Sequence, residues 1–223
     1  MEYKYEIHAH TKNTSRCGQL DAEELVKLYK EAGYSGIVIT DHYSPMTFTP
    51  SEFFNKNKAV EHFLQGYRKA KKLEDENFSV LLGVELRFYA TVNDYLIYGV
   101  KEELLYHSPF LLPMYIKRAS KLFRKNGCLF LQAHPFRQLI TRANPKYLDG
   151  VEVFNGKATK EANDNSLKWA EESNVKIKTS GSDCHRKTGV ALGGIITTEP
   201  IKTNEDLVRI LKSGNYKLIK NQK

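Results

Sequence analysis

Five of the seven histidines in this 223-residue chain stand where short apolar runs stop. His8 and His10 form an H-x-H after the run from Tyr3 to Ile7, and His42 follows Gly-Ile-Val-Ile-Thr-Asp. His134 follows Cys-Leu-Phe-Leu-Gln-Ala, His185 closes Gly-Ser-Asp-Cys-His, and Glu85 ends Val-Leu-Leu-Gly-Val-Glu. Side chains two apart on a strand share a face, so His8 and His10 can grip one ion, and Asp183 and His185 can act together in the same way. Asp41 and His42 are adjacent, so only one faces a common site. His42 is the expected ligand, with Asp41 orienting it or capping the next turn. Imidazole and carboxylate donors suit zinc, manganese and iron, and a bridging glutamate can hold two ions several Å apart. Such ions lower the pKa of a bound water and brace both oxygens of a phosphoryl displacement. One histidine alone is more often structural. The ordered set H-x-H, T-D-H, G-x-E, A-H-P, G-S-D-x-H predicts a polynuclear metalloenzyme.

These residues can meet only if strand ends converge on one face, as they do in a parallel sheet or barrel. Short apolar runs alternate with helical patterns along the chain, which predicts an α/β architecture with mostly parallel strands. Asp21-Ala-Glu-Glu24 is a capping signal, followed by Leu25, Leu28, Tyr29 and Ala32 at helical spacing and a stop at Gly33. Further helices are expected over Lys58–Glu74, before Gly127, over Glu161–Ser173 and after Thr203-Asn-Glu-Asp206. Strands are expected at Gly36–Thr40, Phe78–Leu86, Tyr95–Val100, Cys128–Ala133, Val151–Phe154, Val175–Thr179 and Ile195–Thr198. Ser44–Ser51 reads as a loop and the final Lys-Leu-Ile-Lys-Asn-Gln-Lys as a fraying end. With no repeat, low-complexity tract or Gly/Ser linker, residues 1–223 read as one domain.

Composition narrows the classes. A hydrophobic content of 41% with 27% charged residues is that of an ordinary globular protein. No apolar stretch approaches the roughly 20 residues of a membrane span, and no signal-peptide core is expected at the N-terminus. Cys17, Cys128 and Cys184 form no C-x-x-C, so neither a disulfide framework nor a structural zinc finger is indicated. A cytoplasmic location is expected. The net charge of +8 reads mainly as lysines on solvated helix faces such as Phe63–Lys72, and it favours an anionic substrate.

His8-Ala-His-Thr11, Gly36-Ile-Val-Ile-Thr-Asp-His42, Gly83-Val-Glu85, Ala133-His-Pro-Phe-Arg137 and Gly181-Ser-Asp-Cys-His185 resemble the successive motifs of the PHP (polymerase and histidinol phosphatase) superfamily. The resemblance runs along almost the whole chain. It implies a distorted (β/α)7 barrel, two or three divalent transition-metal ions (zinc, manganese or iron) and phosphoesterase activity. By the same resemblance His8, His10, Glu85 and Asp183 surround a first ion, and Glu85 bridges to a second held by His134. His42 and His185 hold a third. Gly150–Asn155 resembles a segment beside the site, which makes Glu152 and Asn155 candidates for supporting or substrate contacts.

Two departures stand out. Members of the superfamily often carry an acid or histidine soon after H-x-H, whereas this chain offers Asn13, Ser15 and Arg16, with Arg16 near the place of an aspartate. A cation there would repel a third ion and could clamp a phosphate. Members also often carry a histidine in the strand after the bridging glutamate. Here Asp94 is the substitute ligand, or else a turn residue after Asn93. Arg137 and Lys157 are further phosphate candidates, and Asp183 or His185 could assist proton transfer. His62, His107 and Trp169 read as structural, and Cys184 should point away from the ions.

The sequence thus reads as a metal-dependent phosphohydrolase in which metal-bound hydroxide attacks a small phosphate monoester. One alternative is a nuclease or proofreading-type module acting on nucleic-acid ends. The charge favours it mildly, and the lack of an aromatic-interleaved basic stripe weakens it. The other is a catalytically silent metal-binding regulatory domain, which retention of six strong ligand candidates argues against. Oligomeric state leaves no mark on the sequence.

Overall fold

The first strand, β1 (Tyr3–Ala9), is buried from Tyr5 onward, so its polar members Glu6 and His8 lie inside the molecule with Tyr5, Ile7 and Ala9 on the opposite face. The structure is a computed structural model that describes residues 1–221. Asp21 caps α1 (Ala22–Glu31) by accepting from the Glu24 N–H, and β2 (Gly36–Ile39) follows with every residue buried, as befits a strand covered on both faces. After Thr40 and Asp41 the chain resumes as β3 (His42–Tyr43). The stretch expected as a loop contains one helical turn, α2 (Pro50–Phe53). Pro50 opens it, and Thr49 and Glu52 close a reciprocal capping box. Next come α3 (Lys56–Lys71), β4 (Ser79–Leu82) and β5 (Val84–Leu86). The run expected as one strand, Phe78–Leu86, is divided at Gly83.

β6 (Tyr95–Tyr98), α4 (Glu102–His107), α5 (Ile116–Lys125), β7 (Leu129–Gln132) and β8 (Gly150–Asn155) continue the chain. It ends with α6 (Lys160–Glu172), β9 (Ile177–Gly181), β10 (Gly193–Thr197), α7 (Asn204–Ser213) and β11 (Tyr216–Lys220). The final residues expected to fray instead supply β11, which pairs antiparallel with β10. Its adjacent Leu218 and Ile219 were too short a signal against three lysines. Gln222 and Lys223 of that segment lie outside the described residues.

Two sheets, β11-β10-β1-β2-β4 and β3-β5-β6-β7-β8-β9, form one ring. At the offset between them the ladder continues through Thr40 N–H to Ala9 O, Gly83 N–H to Ile39 O and Glu85 N–H to Asp41 O. At the other side Ala9 bridges Cys184 in parallel, with His10 N–H donating to Cys184 O at 3.0 Å. The positions run β1, β2 with β3, β4 with β5, β6, β7, β8 and β9, a mixed α/β order compatible with the distorted (β/α)7 barrel the motifs implied. Ile7, Val38, Leu81, Leu96, Leu131 and Ile177, each from a different strand, join in one apolar cluster.

Three strands depart from the parallel expectation: β10 and β11 pair antiparallel beside β1, and β6 runs antiparallel to both β5 and β7. Only residues 87–94 link β5 to β6, too few for the helical crossover a parallel pair needs. The reversal sets the start of β6, where Asp94 lies, beside the C-terminal ends of its neighbours, since Tyr95 pairs with Leu86 and Gln132.

Candidate metal centre

Glu85 is fully buried on β5 and is the hub of the ring's C-terminal face. Its Oε1 lies 3.0 Å from His134 Nε2 and 3.4 Å from His8 Nε2. Its Oε2 lies 2.8 Å from His42 Nδ1 and 3.2 Å from His10 Nε2. Asp183 Oδ1 closes the cluster, 3.3 Å from His10 Nε2, 3.7 Å from His8 Nε2 and 3.2 Å from His185 Nδ1. The residues read from the motifs as ligands are therefore brought together. The grouping is more continuous than three separate ion sites, because His10 also stacks on His42 and lies against His185, with ring centroids 4.4 and 4.3 Å apart.

The elements fix these side chains from behind. His8 Nδ1 lies 2.7 Å from Glu152 Oε1, a contact that turns Nε2 toward the centre. Glu152 Oε2 accepts from the His134 N–H at 3.0 Å and from the Asn155 amide at 2.9 Å. His134 has φ 26° and Asp183 φ 50°, conformations that non-glycine residues adopt at a cost of about 1–3 kcal/mol and hold only where surrounding bonds over-determine them. Asp41 engages the loop after β1 rather than the cluster, as expected of an orienter. It accepts from the Thr11 N–H, the Thr11 hydroxyl and the Ser15 hydroxyl, each at 2.7 Å, while Ser15 Oγ accepts from the His42 N–H at 2.9 Å.

Electrostatics match a cation site. Burial alone would raise Glu85, but His42, His8 and the bond from His134 hold it well below the usual carboxylate range. Burial would likewise raise Asp183, and His8, His10 and His185 hold it low. Burial lowers His10 well below its ordinary value, and the neighbouring His185 and His42 add to that, so it stays an unprotonated donor. Among the described residues His8 Nε2, His10 Nε2 and Glu85 Oε2 are buried without a hydrogen-bond partner, although they face one another. Buried polar atoms left so are costly unless a cation satisfies them, and their nitrogen and oxygen chemistry fits divalent transition metals. Donor atoms of His8, His10 and Glu85, of His8, His134 and Asp183, and of His10, His42 and His185 each lie within 4.8 Å of one another.

The remaining expected residues divide. Asp94 is buried with its donor within the same span of His42 and Glu85, yet it also accepts from Arg87 at 2.6 Å through both oxygens and from Arg137 at 3.1 Å. Asn155 is buried, and its amide donates to Glu152 and, at 3.3 Å, to Asp183, which puts it behind the carboxylates. Lys157 Nζ lies 3.7 Å from Asp183 and 3.4 Å from His185. Arg16, Arg87, Arg137, Lys157, His42 and His185 line an open cavity of about 210 Å³ above the cluster. Arg87 was not singled out in the sequence, where it is one basic residue two past Glu85. Cys17 was missed as well: its Sγ lies 3.0 Å from His185 Nε2. Partial burial raises that thiol, but bonds with His185 and His42 bring it down to about 6. His62 pairs with Glu52 at 2.9 Å and His107 ends α4, both outside the cluster.

A family model described as PHP domain matches residues 6–185, and one described as PHP-associated matches residues 160–216. A search of curated proteins finds no match. Among solved structures the fold resembles PsfC from Pseudomonas syringae PB-5123, at 15% identity and a TM-score of 0.67 over 93% of this chain and 88% of that one. It also resembles a two-domain protein from Bacteroides vulgatus that contains a predicted PHP-like metal-dependent phosphoesterase, at 16% identity and a TM-score of 0.64 over 99% of this chain and 65% of that one. A third is the lesion-specific endonuclease PfuEndoQ from Pyrococcus furiosus, at 13% identity and a TM-score of 0.63 over 98% of this chain and 58% of that one. Identities this low show a shared fold.

Proposed function

The chain belongs to the PHP domain family, and from that premise we propose that it is a metal-dependent phosphoesterase acting on a small phosphate monoester. The observation that carries this reading is Glu85, buried among four imidazoles with its own Oε2 and the Nε2 atoms of His8 and His10 lacking hydrogen-bond partners. In this reading His8, His10, Glu85 and Asp183 hold one ion, Glu85, His134 and Asp94 a second, and His42 and His185 a third, as zinc, manganese or iron. Bound there, such ions activate water near neutral pH and offset charge on the phosphoryl oxygens.

The protein's own part is to bind and orient. Arg16, Arg137 and Lys157, joined by Arg87, present cations around a cavity of about 210 Å³, below the ~300 Å³ of an ordinary small-molecule pocket. That size supports entry of a phosphate group with the rest of the substrate outside. Asp94 holds Arg87 and Arg137 in place from beneath. His185 can pass a proton at Nδ1, beside Asp183 Oδ1 and Lys157 Nζ. A panel of phosphomonoesters assayed with several divalent metals tests the reading. Turnover of none of them, in protein shown to contain metal, would refute it.

The cationic rim and the +8 charge support a second reading, a nuclease acting on nucleic-acid ends. Hydrolysis of single-stranded oligonucleotides in preference to every small monoester would establish that one instead. Binding of metal with no turnover of either class would leave a regulatory domain.

A further inference from the structure

Resting on the metal reading of the Glu85 cluster, we propose that Cys17 is itself a ligand. Its thiolate joins His42 and His185 on the ion at the outer end, and so commits that position to a thiophilic metal such as zinc or ferrous iron. Three observations carry this. Cys17 Sγ is 3.0 Å from His185 Nε2, the nitrogen that faces outward because Nδ1 lies 2.8 Å from the Asp183 carbonyl. The loop that carries the thiol is pinned to the same histidine, since the Gln19 N–H donates to His185 O at 2.7 Å and the Gly18 N–H to Ser15 O at 2.9 Å. Independently, a ring nitrogen from each of His10, His42 and His185 converges within 4.8 Å, and the buried Nε2 of His10 has no hydrogen-bond partner.

The departure from a carboxylate donor then has a chemical meaning. The acid or histidine expected after H-x-H is absent, and from this loop the thiol of Cys17 reaches His185, with Arg16 beside it on the cavity rim. Thiolate and imidazole together favour zinc or iron over magnesium and manganese, which prefer oxygen. Coordination forms a metal–sulfur bond and breaks the S–H bond, and the proton leaves to solvent. The other cysteines cannot substitute. Cys128 is buried against Gly99 O, and the Cys184 thiol donates to Arg186 O, away from the ions.

The test is X-ray absorption on the zinc-loaded full chain, with the ultraviolet spectrum of the Co²⁺-loaded form beside it. The expected result is one sulfur scatterer at about 2.3 Å and a sulfur-to-cobalt charge-transfer band. Both should be lost in Cys17→Ser, which should bind one ion fewer at most. Cys17→Asp, which keeps an anionic donor, should lose the sulfur signal and shift competition between Zn²⁺ and Mn²⁺ toward manganese. Ions bound by nitrogen and oxygen alone in the unmutated protein, or a sulfur signal that persists in Cys17→Ser, would overturn the thiolate while leaving the metal centre intact. Failure to take up any ion would overturn both.

Discussion

His8 Nδ1 is committed to Glu152, so the orientation of one central donor depends on a carboxylate that touches no ion in the arrangement described. Removing such a partner typically costs about 10- to 100-fold in metal affinity. Glu152→Gln should weaken metal binding by that amount in competition with a chromophoric chelator, with the fold retained; unchanged affinity would remove Glu152 from the support of the site. Arg16 behaves differently. It is exposed on the cavity rim and has no ion-pair partner among the described residues, so it is free to meet an anion. Arg16→Ala should lower kcat/KM on the accepted phosphoester by about two- to fivefold with metal content unchanged, the modest size reflecting solvent around an exposed charge. An unchanged kcat/KM would leave Arg16 as a surface residue.

At the scale of elements, two contacts hold the loops and strands that carry the donors. Glu6 on β1 accepts from the His8 N–H at 2.8 Å, the Ser182 N–H at 3.0 Å and the Tyr29 hydroxyl at 2.7 Å, tying β1 to the end of β9 and to α1. Burial raises its pKa from 4.5 to about 7 against those hydrogen bonds. A raised carboxyl favours the folded state at low pH, and that contribution is lost as pH climbs from about 4.5 through about 7. The stability difference between the natural protein and Glu6→Gln, from urea unfolding, should therefore shift against the natural protein by on the order of 3 kcal/mol between pH 5 and 8. A difference that is flat with pH would contradict this. Gly66 on α3 makes the second contact, because a Cβ there would collide with the Thr11 hydroxyl and Asp41. Glycine to alanine normally gains about 1 kcal/mol in a helix. Here overpacking of about 1–3 kcal/mol should reverse the sign, and thermal unfolding of Gly66→Ala will show a lower Tm if it does.

For the whole molecule, the ring gathers donors from β1, β3, β5, β7 and β9, so metal binding ties strands distant in sequence to one another. Anything that binds only the folded state stabilises it by mass action. Chelation should therefore lower the Tm as well as abolish the hydrolysis proposed above. Activity surviving prolonged EDTA treatment, with metal loss verified by elemental analysis, would exclude a metal-dependent reaction. No helix among the described residues is long and apolar enough to cross a membrane.

The histidines and carboxylates that cluster were legible in the chain because a strand end is a local event: an apolar run of four to six residues stops, and the next polar side chain stands at the end of the strand. Helix starts were legible for the same reason, as Asp21 and Thr203 show, since a cap acts over three residues. Long-range relations were not. Whether Asp94 reached the site depended on β6 running antiparallel, which a short connection enforces but residue types do not announce. Whether Arg16 or Cys17 faced His185 depended on a loop held by Asp41 and by Gln19, contacts made across 26 and 166 positions of sequence. Glu152 and Asn155 gained their place behind the donors only when β8 and β9 paired in register. Residue chemistry and local periodicity determined which groups could bind metal. Strand direction, register and loop closure, which are properties of the assembled ring, decided which of them meet.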